Sequence, residues 1–324
     1  MLFDIRDVTS ENFNAHALRL FQYQYANVPV YEQFVDLLKV NAAAVNDIED
    51  IPFLPISFFK SHKVIANGLV EEVVFESSTT TGAVPSKHYV ANKNLYLLSC
   101  VEGFERTYGS VEGLCMLALL PSYLERGGSS LVWMVNALMN KSQHPANGFF
   151  LHDHARLTEV VLNNERTGQK TIVIGVSYAL LDWAEGWNGA SLQHTVIMET
   201  GGIKGRRKET IKSELHEALQ RAFGVSAVHS EYGMTELLSQ AYSTGHGIYR
   251  SPPWMRVSAR DISDPLSVLS PNQTGALNVV DLANQYSCAF IATDDLGRVN
   301  NDGAFEVLGR LDLSEMRGCN LMVG

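Results

Sequence analysis

The sequence predicts an α/β protein whose last quarter turns β-rich, and three patterns predict it. Short apolar runs alternate with amphipathic segments as far as about residue 240, the pattern of strands joined through crossover helices. Beyond that point three apolar runs, 275–282, 288–292 and 304–308, follow one another across polar turns with no room for a helix, so a β-rich subdomain closes one edge. The 324 residues are 46% hydrophobic and 19% charged, which is enough apolar material for a large core and too little charge for a disordered or coiled-coil chain.

Each element follows in order. Residues 11–40 carry Phe13, Leu18, Phe21 and Tyr25, then Tyr31, Phe34 and Leu37, at steps of three to five, with Leu38 beside Leu37. That spacing predicts helix, cut in two by Pro29. Residues 46–55 hold two prolines and read as a link. The β-branched run EEVVFE at 71–76 predicts a strand that leads straight into a hydroxyl-rich stretch, 77–82. A helix over 92–108, a buried strand over 113–121 and a helix over 129–139 come next. Strands at 170–176 and 193–198 flank a helix over 177–187. In residues 207–223, Ile211, Leu215, Leu219 and Phe223 recur every four positions and predict an amphipathic helix, followed by a strand over 225–229. No internal repeat or low-complexity tract is present.

Charge and composition exclude several functions. A net charge of −10 argues against nucleic acid and against an anionic membrane surface, both of which need a basic face. Apolar runs such as 114–120 fall far short of the roughly 20 residues a membrane helix needs. The opening MLFDIRDVTSENF carries early acids and no apolar stretch, so no secretory signal is expected and the chain is placed in the cytoplasm. Cys100, Cys115, Cys288 and Cys319 are far apart and form no CxxC, which leaves zinc and redox sites without support and suggests a reducing compartment.

Four segments can carry chemistry. Ser77-Ser78-Thr79-Thr80-Thr81-Gly82 follows a strand, with Lys87 just beyond. Backbone N–H groups, hydroxyls and a glycine in such a loop suit phosphate oxygens, although a polar surface loop has the same composition. Ser230-Glu231-Tyr232-Gly233-Met234-Thr235-Glu236 sits at a strand end, where open α/β sheets place ligands. Tyr232 offers a ring to a purine, Thr235 a hydroxyl to phosphate, and Glu236 a hard oxygen to Mg²⁺; a helix start with an acidic first turn reads equally well. Thr293-Asp294-Asp295-Leu296-Gly297 is either a hairpin turn or a carboxylate poised for ribose hydroxyls. Gly309-Arg310-Leu311-Asp312 is either a surface arginine or a bridge between ribose and phosphate. His152 and His154 have metal-like spacing on a loop with Asp153 but lack further ligands, so a structural or pocket role fits better.

Taken in order, SSTTTG, METGG (198–202), EYGMTE, TDDLG and LGRLD resemble the signature of acyl-adenylate-forming enzymes, which include acyl-CoA ligases, nonribosomal adenylation domains and firefly-type luciferases. The resemblance runs from about Phe75 to the C terminus. GGIKGRRKE at 201–209, SEYGMTELLSQAY at 230–242 and RGCNLM at 317–322 look most like the LuxE-type acyl-protein synthetases, which belong to a fatty-acid reductase complex. The resemblance implies a large adenylation domain over 1–312 with a short tail over 313–324, using ATP and Mg²⁺ to activate a carboxylic acid, a fatty acid in that subfamily. An acyl reductase or acyl-carrier protein is the implied partner.

Carried over by residue, the resemblance places the phosphates on Ser77, Ser78, Thr79, Thr80, Thr81 and Gly82, with Lys87 nearby. Gly201 and Gly202 border the adenine, Tyr232 stacks on it, and Gly233 continues that loop. Thr235 contacts the α-phosphate, Glu236 holds Mg²⁺, and Asp295 binds the ribose beside Arg310. Asp312 stands at the hinge before a mobile domain that larger relatives have. Three departures from the larger relatives stand out: Thr79 replaces a glycine, Ser86 displaces Lys87, and the lysine-bearing C-terminal domain is expected to be absent, with Lys204 as a speculative substitute. Cys319, beside Arg317 and Gly318, is the implied acyl acceptor, since a thiolate attacks a mixed anhydride readily and a neighbouring cation favours the thiolate. An external thiol on CoA or a carrier protein, or a non-catalytic nucleotide-binding subunit, remains open. Cys100, Cys115 and Cys288 lie in apolar elements and read as core.

Overall fold

The computed structural model of the chain describes residues 1–78, 84–122, 127–201 and 212–311. Its first helices fall where Pro29 dictates. Helix α1 (Phe13–Asn27) stops at Val28, and α2 (Pro29–Leu37) opens on the proline, where the missing N–H has no helical acceptor to lose. Their aromatic residues converge on Phe290, near the far end of the chain. Tyr31 stacks on it at 6.1 Å between ring centroids, and Phe21 meets it edge-on at 6.2 Å. Strand β1 (Leu54–Pro55) runs beside Ile291 and Ala292, and a single-turn helix, α3 (Phe58–Ser61), follows.

Strands β2 (Val73–Glu76) and β3 (Lys87–Val90) form an antiparallel pair around the hydroxyl-rich loop. Helix α4 (Lys93–Tyr108) starts on Asn92, whose side chain accepts from the Leu95 N–H, one of the donors a helix start leaves unpaired. Then come β4 (Cys115–Leu119), α5 (Ser130–Ser142), β5 (Gly148–Phe149), α6 (His154–Thr167), β6 (Thr171–Val176), α7 (Ser177–Glu185), β7 (Thr195–Thr200), α8 (Lys212–Phe223), β8 (His229–Tyr232) and β9 (Ala241–Ser243). The strands form one sheet in the order β5-β4-β6-β7-β8-β9, parallel up to β8 and antiparallel at β9.

Successive strand residues point to opposite faces, and this splits the core in two. Cys115, Leu117 and Leu119 of β4 join Val173 and Ile197 under α6, α7 and α8, around Trp183 and Phe223. Met116 and Ala118 join Ile172, Ile174 and Met198 on the other face, under α4 and α5. Both faces are covered, which is why these strands read as unbroken apolar runs. Gly175 belongs to the same logic: a Cβ there would stand 2.8 Å from the Leu119 Cβ.

The β-rich remainder forms a second sheet from β10 (Ile248–Tyr249), β11 (Met255–Arg260), β12 (Thr274–Asp281), β13 (Phe290–Val299) and β14 (Phe305–Arg310), in the order β10-β14-β13-β12-β11, with β1 alongside β13. Two expectations need correction. The strand expected over 225–229 begins at His229 and runs to Tyr232, so Glu231 and Tyr232 belong to the strand. The Asp-Leu-Gly segment is no hairpin turn; it lies inside the ten-residue β13. Its glycine has a packing reason, since a Cβ on Gly297 would stand 2.4 Å from the Glu306 carbonyl oxygen of β14, beside a register shift between the two strands. Among the described residues no helix is long and apolar enough to cross a membrane.

Candidate active site

Ligands of open α/β sheets gather at the carboxyl ends of parallel strands. Here those ends are Thr200 of β7 and Tyr232 of β8, and the second sheet brings Asp295 and Arg310 to the same place. The Tyr232 hydroxyl donates to Asp295 Oδ2 at 2.9 Å. Arg310 Nε donates to Asp295 Oδ1 at 3.3 Å, the two residues being direct partners in the β13–β14 register. Burial first, then the neighbouring carboxylate, pushes the Tyr232 phenol well above its usual range, so it remains a donor. Its ring is only 8% exposed and packs on Tyr249 and edge-on to Phe305, at 5.7 and 5.3 Å between centroids. Tyr232 therefore supports Asp295 through its hydroxyl, while Tyr249 and Phe305 cover much of its ring.

The segment that follows is pinned by groups remote in sequence. His88 of β3 is buried, and its Nδ1 lies 2.9 Å from the Thr235 carbonyl oxygen. Its Nε2 meets Ser287 Oγ at 2.8 Å and Asn284 Oδ1 at 3.2 Å. Burial lowers this imidazole to about pKa 4, so it is neutral. The Asn284 amide donates to the Glu236 carbonyl. Asp281, wholly buried at the end of β12, accepts from the N–H groups of Leu238 and Ser239 at 2.7 and 3.0 Å. These bonds fix the backbone on both sides of Glu236. The Glu236 carboxyl is buried, which raises its pKa; a hydrogen bond from Ser86 and the charges of Arg310 and Lys60 act in the opposite sense.

The remaining expected residues divide into those with a defined place and those outside the described residues. Ser77 is tied to Ser86 twice: its N–H donates to the Ser86 carbonyl, and its Oγ accepts from the Ser86 N–H at 2.9 Å. Lys87 pairs with Glu76 across the β2–β3 hairpin at 2.9 Å, with both side chains nearly half exposed. Such a pair is weak enough to open for a phosphate. Gly201 adopts φ +69°, which favours glycine, and its carbonyl accepts from Ser177 Oγ. Gly233 is exposed beside Glu231, whose Oε1 would stand 2.5 Å from an added Cβ. Ser78 is described, whereas Thr79, Thr80, Thr81, Gly82, Gly202, Lys204, Asp312, Arg317 and Cys319 lie outside the described residues. The other three cysteines behave as expected. Burial raises all three thiols, Cys288 to about 12, so they are core residues and poor nucleophiles.

Sequence reasoning missed a buried charged cluster beneath Tyr232. Lys212 at the start of α8 pairs with Glu199 of β7 at 2.7 Å and donates to the Tyr249 hydroxyl, while His216 lies 3.6 Å from the same carboxylate. Burial opposes ionisation of Glu199, but His216 and Lys212 outweigh it and hold its carboxyl below the usual range. Next to it, burial raises Glu231 to about 7, and Thr200 donates to it. The visible signal was Glu199 at the end of the apolar run of β7.

The fold is that of the large domain of adenylate-forming ligases, as three solved structures illustrate. An open conformation of 2-hydroxyisobutyryl-CoA ligase in complex with 2-HIB-AMP and CoA aligns over 98% of this chain and 77% of its own, with TM-score 0.68 and 14% identity. ATP-bound MatB from Rhodopseudomonas palustris aligns over 73% of this chain with TM-score 0.55 and 15% identity, and this chain spans 47% of its length. The luciferase-like enzyme of the nonluminescent Zophobas morio mealworm aligns over 74% and 57% of the two chains, with TM-score 0.53 and 16% identity. Comparison with curated proteins finds no match. Residues 159–324, just over half the chain, match the LuxE acyl-protein synthetase family, and the chain belongs to it.

Proposed function

We propose that this chain activates a carboxylic acid with ATP and passes the acyl group to a thiol. The observation that carries the reading is the convergence of Tyr232, Asp295, Arg310 and Glu236, from three separate segments, at the carboxyl end of β8. In the first half-reaction a carboxylate oxygen of the acid attacks the α-phosphorus of ATP and pyrophosphate leaves. Asp295 accepts hydrogen bonds from the ribose hydroxyls, and Arg310 lies between ribose and phosphate. The loop over 77–82 surrounds the phosphates, and Thr235 reaches the α-phosphate. Among the described residues no three acidic, histidine or cysteine side chains are gathered to hold a metal. That suits Mg²⁺, which takes most of its ligands from phosphate and water and needs one or two carboxylates, here Glu236. Bound there, the ion neutralises charge on the phosphates. The rest is positioning and electrostatic stabilisation, which needs no acid–base triad.

In the second half-reaction a thiolate attacks the acyl carbon, and AMP leaves as the acyl–phosphate bond breaks. We assign that thiol to Cys319 in a tail over 313–324, with 1–312 as the adenylating unit, acting in the cytoplasm and delivering to an acyl reductase or acyl carrier. The fatty acid of the LuxE-type resemblance is one acid of this kind. Support comes from the family match and from elimination: Cys100, Cys115 and Cys288 are buried with raised thiols. Intact-protein mass spectrometry after incubation with ATP, Mg²⁺ and a panel of acids tests the whole sequence of steps. A hydroxylamine-labile acyl mass on Cys319, with pyrophosphate release, is expected. Pyrophosphate release with CoA thioester and no protein adduct would move the acceptor outside the chain. No pyrophosphate release with any acid would remove the enzymatic reading.

A further inference from the structure

On the proposed reading the nucleoside meets residues of two different sheets. Gly201 follows β7 and Tyr232 ends β8, both in the first sheet, whereas Asp295 and Arg310 belong to β13 and β14 of the second. Such a site works only if the two sheets meet in one fixed arrangement, because a hydrogen bond tolerates a few tenths of an ångström and weakens steeply as its angle closes. Three rings fill the seam. Tyr232 comes from the first sheet, Tyr249 and Phe305 from β10 and β14 of the second. Tyr249 and Phe305 are direct partners in the β10–β14 register and stack at 5.3 Å between centroids. Tyr232 is tilted against the first at 5.7 Å and edge-on to the second at 5.3 Å. Apolar contact is non-directional, so ring packing alone does not fix how the sheets register.

Polar ties cross the seam at these rings. One is the Tyr232 hydroxyl on Asp295, at 2.9 Å. Another starts from α8 on the first sheet. Lys212 donates to the Tyr249 hydroxyl and pairs at 2.7 Å with Glu199 of β7, two residues before Gly201. His216, one helical turn along, stands 3.6 Å from the same carboxylate and 3.5 Å from Ser230 Oγ of β8. Glu199 is buried, and the Lys212 side chain is about two-thirds covered. A buried ion pair is often no more stabilising than apolar residues of the same size, and its best-attested use is to fix one register between elements. Here the elements it joins are the strand that leads to Gly201 and the strand pair that carries Arg310.

We propose that Lys212 is a positioning residue for nucleotide recognition: by holding Tyr249 to Glu199 it locks the three-ring joint between the sheets, and through Tyr232 it sets the aim of Asp295. This rests on the adenylation reading above, which gives the ribose hydroxyls to Asp295. Because Lys212 acts through Tyr249 and Tyr232, its loss should be felt first as lost discrimination at the ribose.

Calorimetric titration of ATP and of 2′,3′-dideoxy-ATP reads that discrimination and needs no turnover. The wild type should bind ATP tighter by about ten-fold or more, the scale of hydrogen bonds to one charged group. Tyr249→Phe keeps the ring and the Glu199–Lys212 pair and removes the hydroxyl that Lys212 grips. It should cut the preference for ATP by about three-fold or more, the scale of a single hydrogen bond. Lys212→Met combined with Glu199→Gln removes the tie without stranding a buried charge, and it should cut the preference as well. Val161→Ala, a core truncation on α6, also weakens the fold but should leave the preference unchanged, which separates a lost tie from a general loss of stability. A preference that survives in both seam variants, or that falls equally in Val161→Ala, overturns the proposal and leaves the nucleotide site standing. Equal binding of the two nucleotides by the wild type takes the ribose from Asp295, and binding of neither removes the adenylation reading; each result removes this proposal too.

Discussion

The Tyr232 hydroxyl and the Asp295 carboxylate, 63 positions apart, meet at 2.9 Å, and Arg310 takes the other carboxylate oxygen. Asp295 is therefore held in place by the fold itself, and on the proposed reading it is aimed at the ribose. Its replacement by alanine should weaken ATP binding by about 1.5–3 kcal/mol, the range for hydrogen bonds to a charged group. It would also leave the buried Tyr232 hydroxyl unpaired, so Asp295→Asn, which keeps an acceptor, should cost less. Equal affinity of the wild type for ATP and 2′,3′-dideoxy-ATP would take the ribose away from Asp295.

Glu236→Gln should largely abolish ATP–pyrophosphate exchange while the protein melts within a few degrees of wild type. The backbone around it is held by Asn284, His88 and Asp281, none of which needs the Glu236 charge. On the proposed reading the substitution removes an anionic oxygen from Mg²⁺ and little else. Exchange at the wild-type rate in a folded variant would remove Glu236 from the site.

The candidate site was partly legible in the sequence because Tyr232, Glu236 and Arg310 lie in contiguous motifs at or just past strand ends, and strand ends follow from apolar runs; Asp295 lies inside β13 instead. The order of the segments carried more information than any one of them. What was not legible is the set of long-range partners. Nothing in the sequence marks His88 until the fold brings Thr235 and Asn284 to its two nitrogens. Asp281 sits unremarked inside the apolar run 275–282, yet it is fully buried and clamps Leu238 and Ser239. The Asp294–Gly297 stretch carries turn-forming residues, and the pairing of β13 with its neighbours overrides that local preference.

The Glu199–Lys212 pair gives a third prediction. Glu199 is buried, so Lys212→Met leaves its charge without its main partner and should destabilise the fold by roughly 3 kcal/mol, the low end for a broken buried pair because Lys212 is partly exposed. Adding Glu199→Gln should recover part of that loss. Urea denaturation of the two single variants and the double variant measures it, and strictly additive losses would show that the two charges do not depend on each other.

Three of the four cysteines are buried. In the native protein at neutral pH, a short iodoacetamide pulse should leave Cys100, Cys115 and Cys288 unmodified, since alkylation needs an accessible thiolate and these thiols are buried and raised. Denaturant should expose all three. Cys319→Ser should still release pyrophosphate but form no protein thioester. A thioester that persists in that variant, or peptide mapping that finds it on Cys115, would place the acceptor elsewhere.

His88 sets an acid limit on the fold. Burial lowers its pKa from 6.5 to about 4, so below about pH 6.5 the unfolded chain binds a proton that the folded chain refuses until near pH 4. The contribution is fully present above pH 6.5 and is lost as the pH falls toward 4. A shift of that size corresponds to roughly 3 kcal/mol at most. Protonation would also turn Nε2 into an obligatory donor between Ser287 and Asn284, beside the backbone that carries Thr235 and Glu236. His88→Gln keeps a neutral polar side chain and removes the titration. It should be less stable than wild type at pH 8, through poorer hydrogen bonds, and the gap should narrow steadily between pH 6.5 and 4.5. Urea denaturation of both proteins across that range gives the difference directly, and the carboxylates common to both cancel from it. Parallel stability curves from pH 8 to 4.5 would show that His88 takes up its proton as easily in the folded protein as in the unfolded chain.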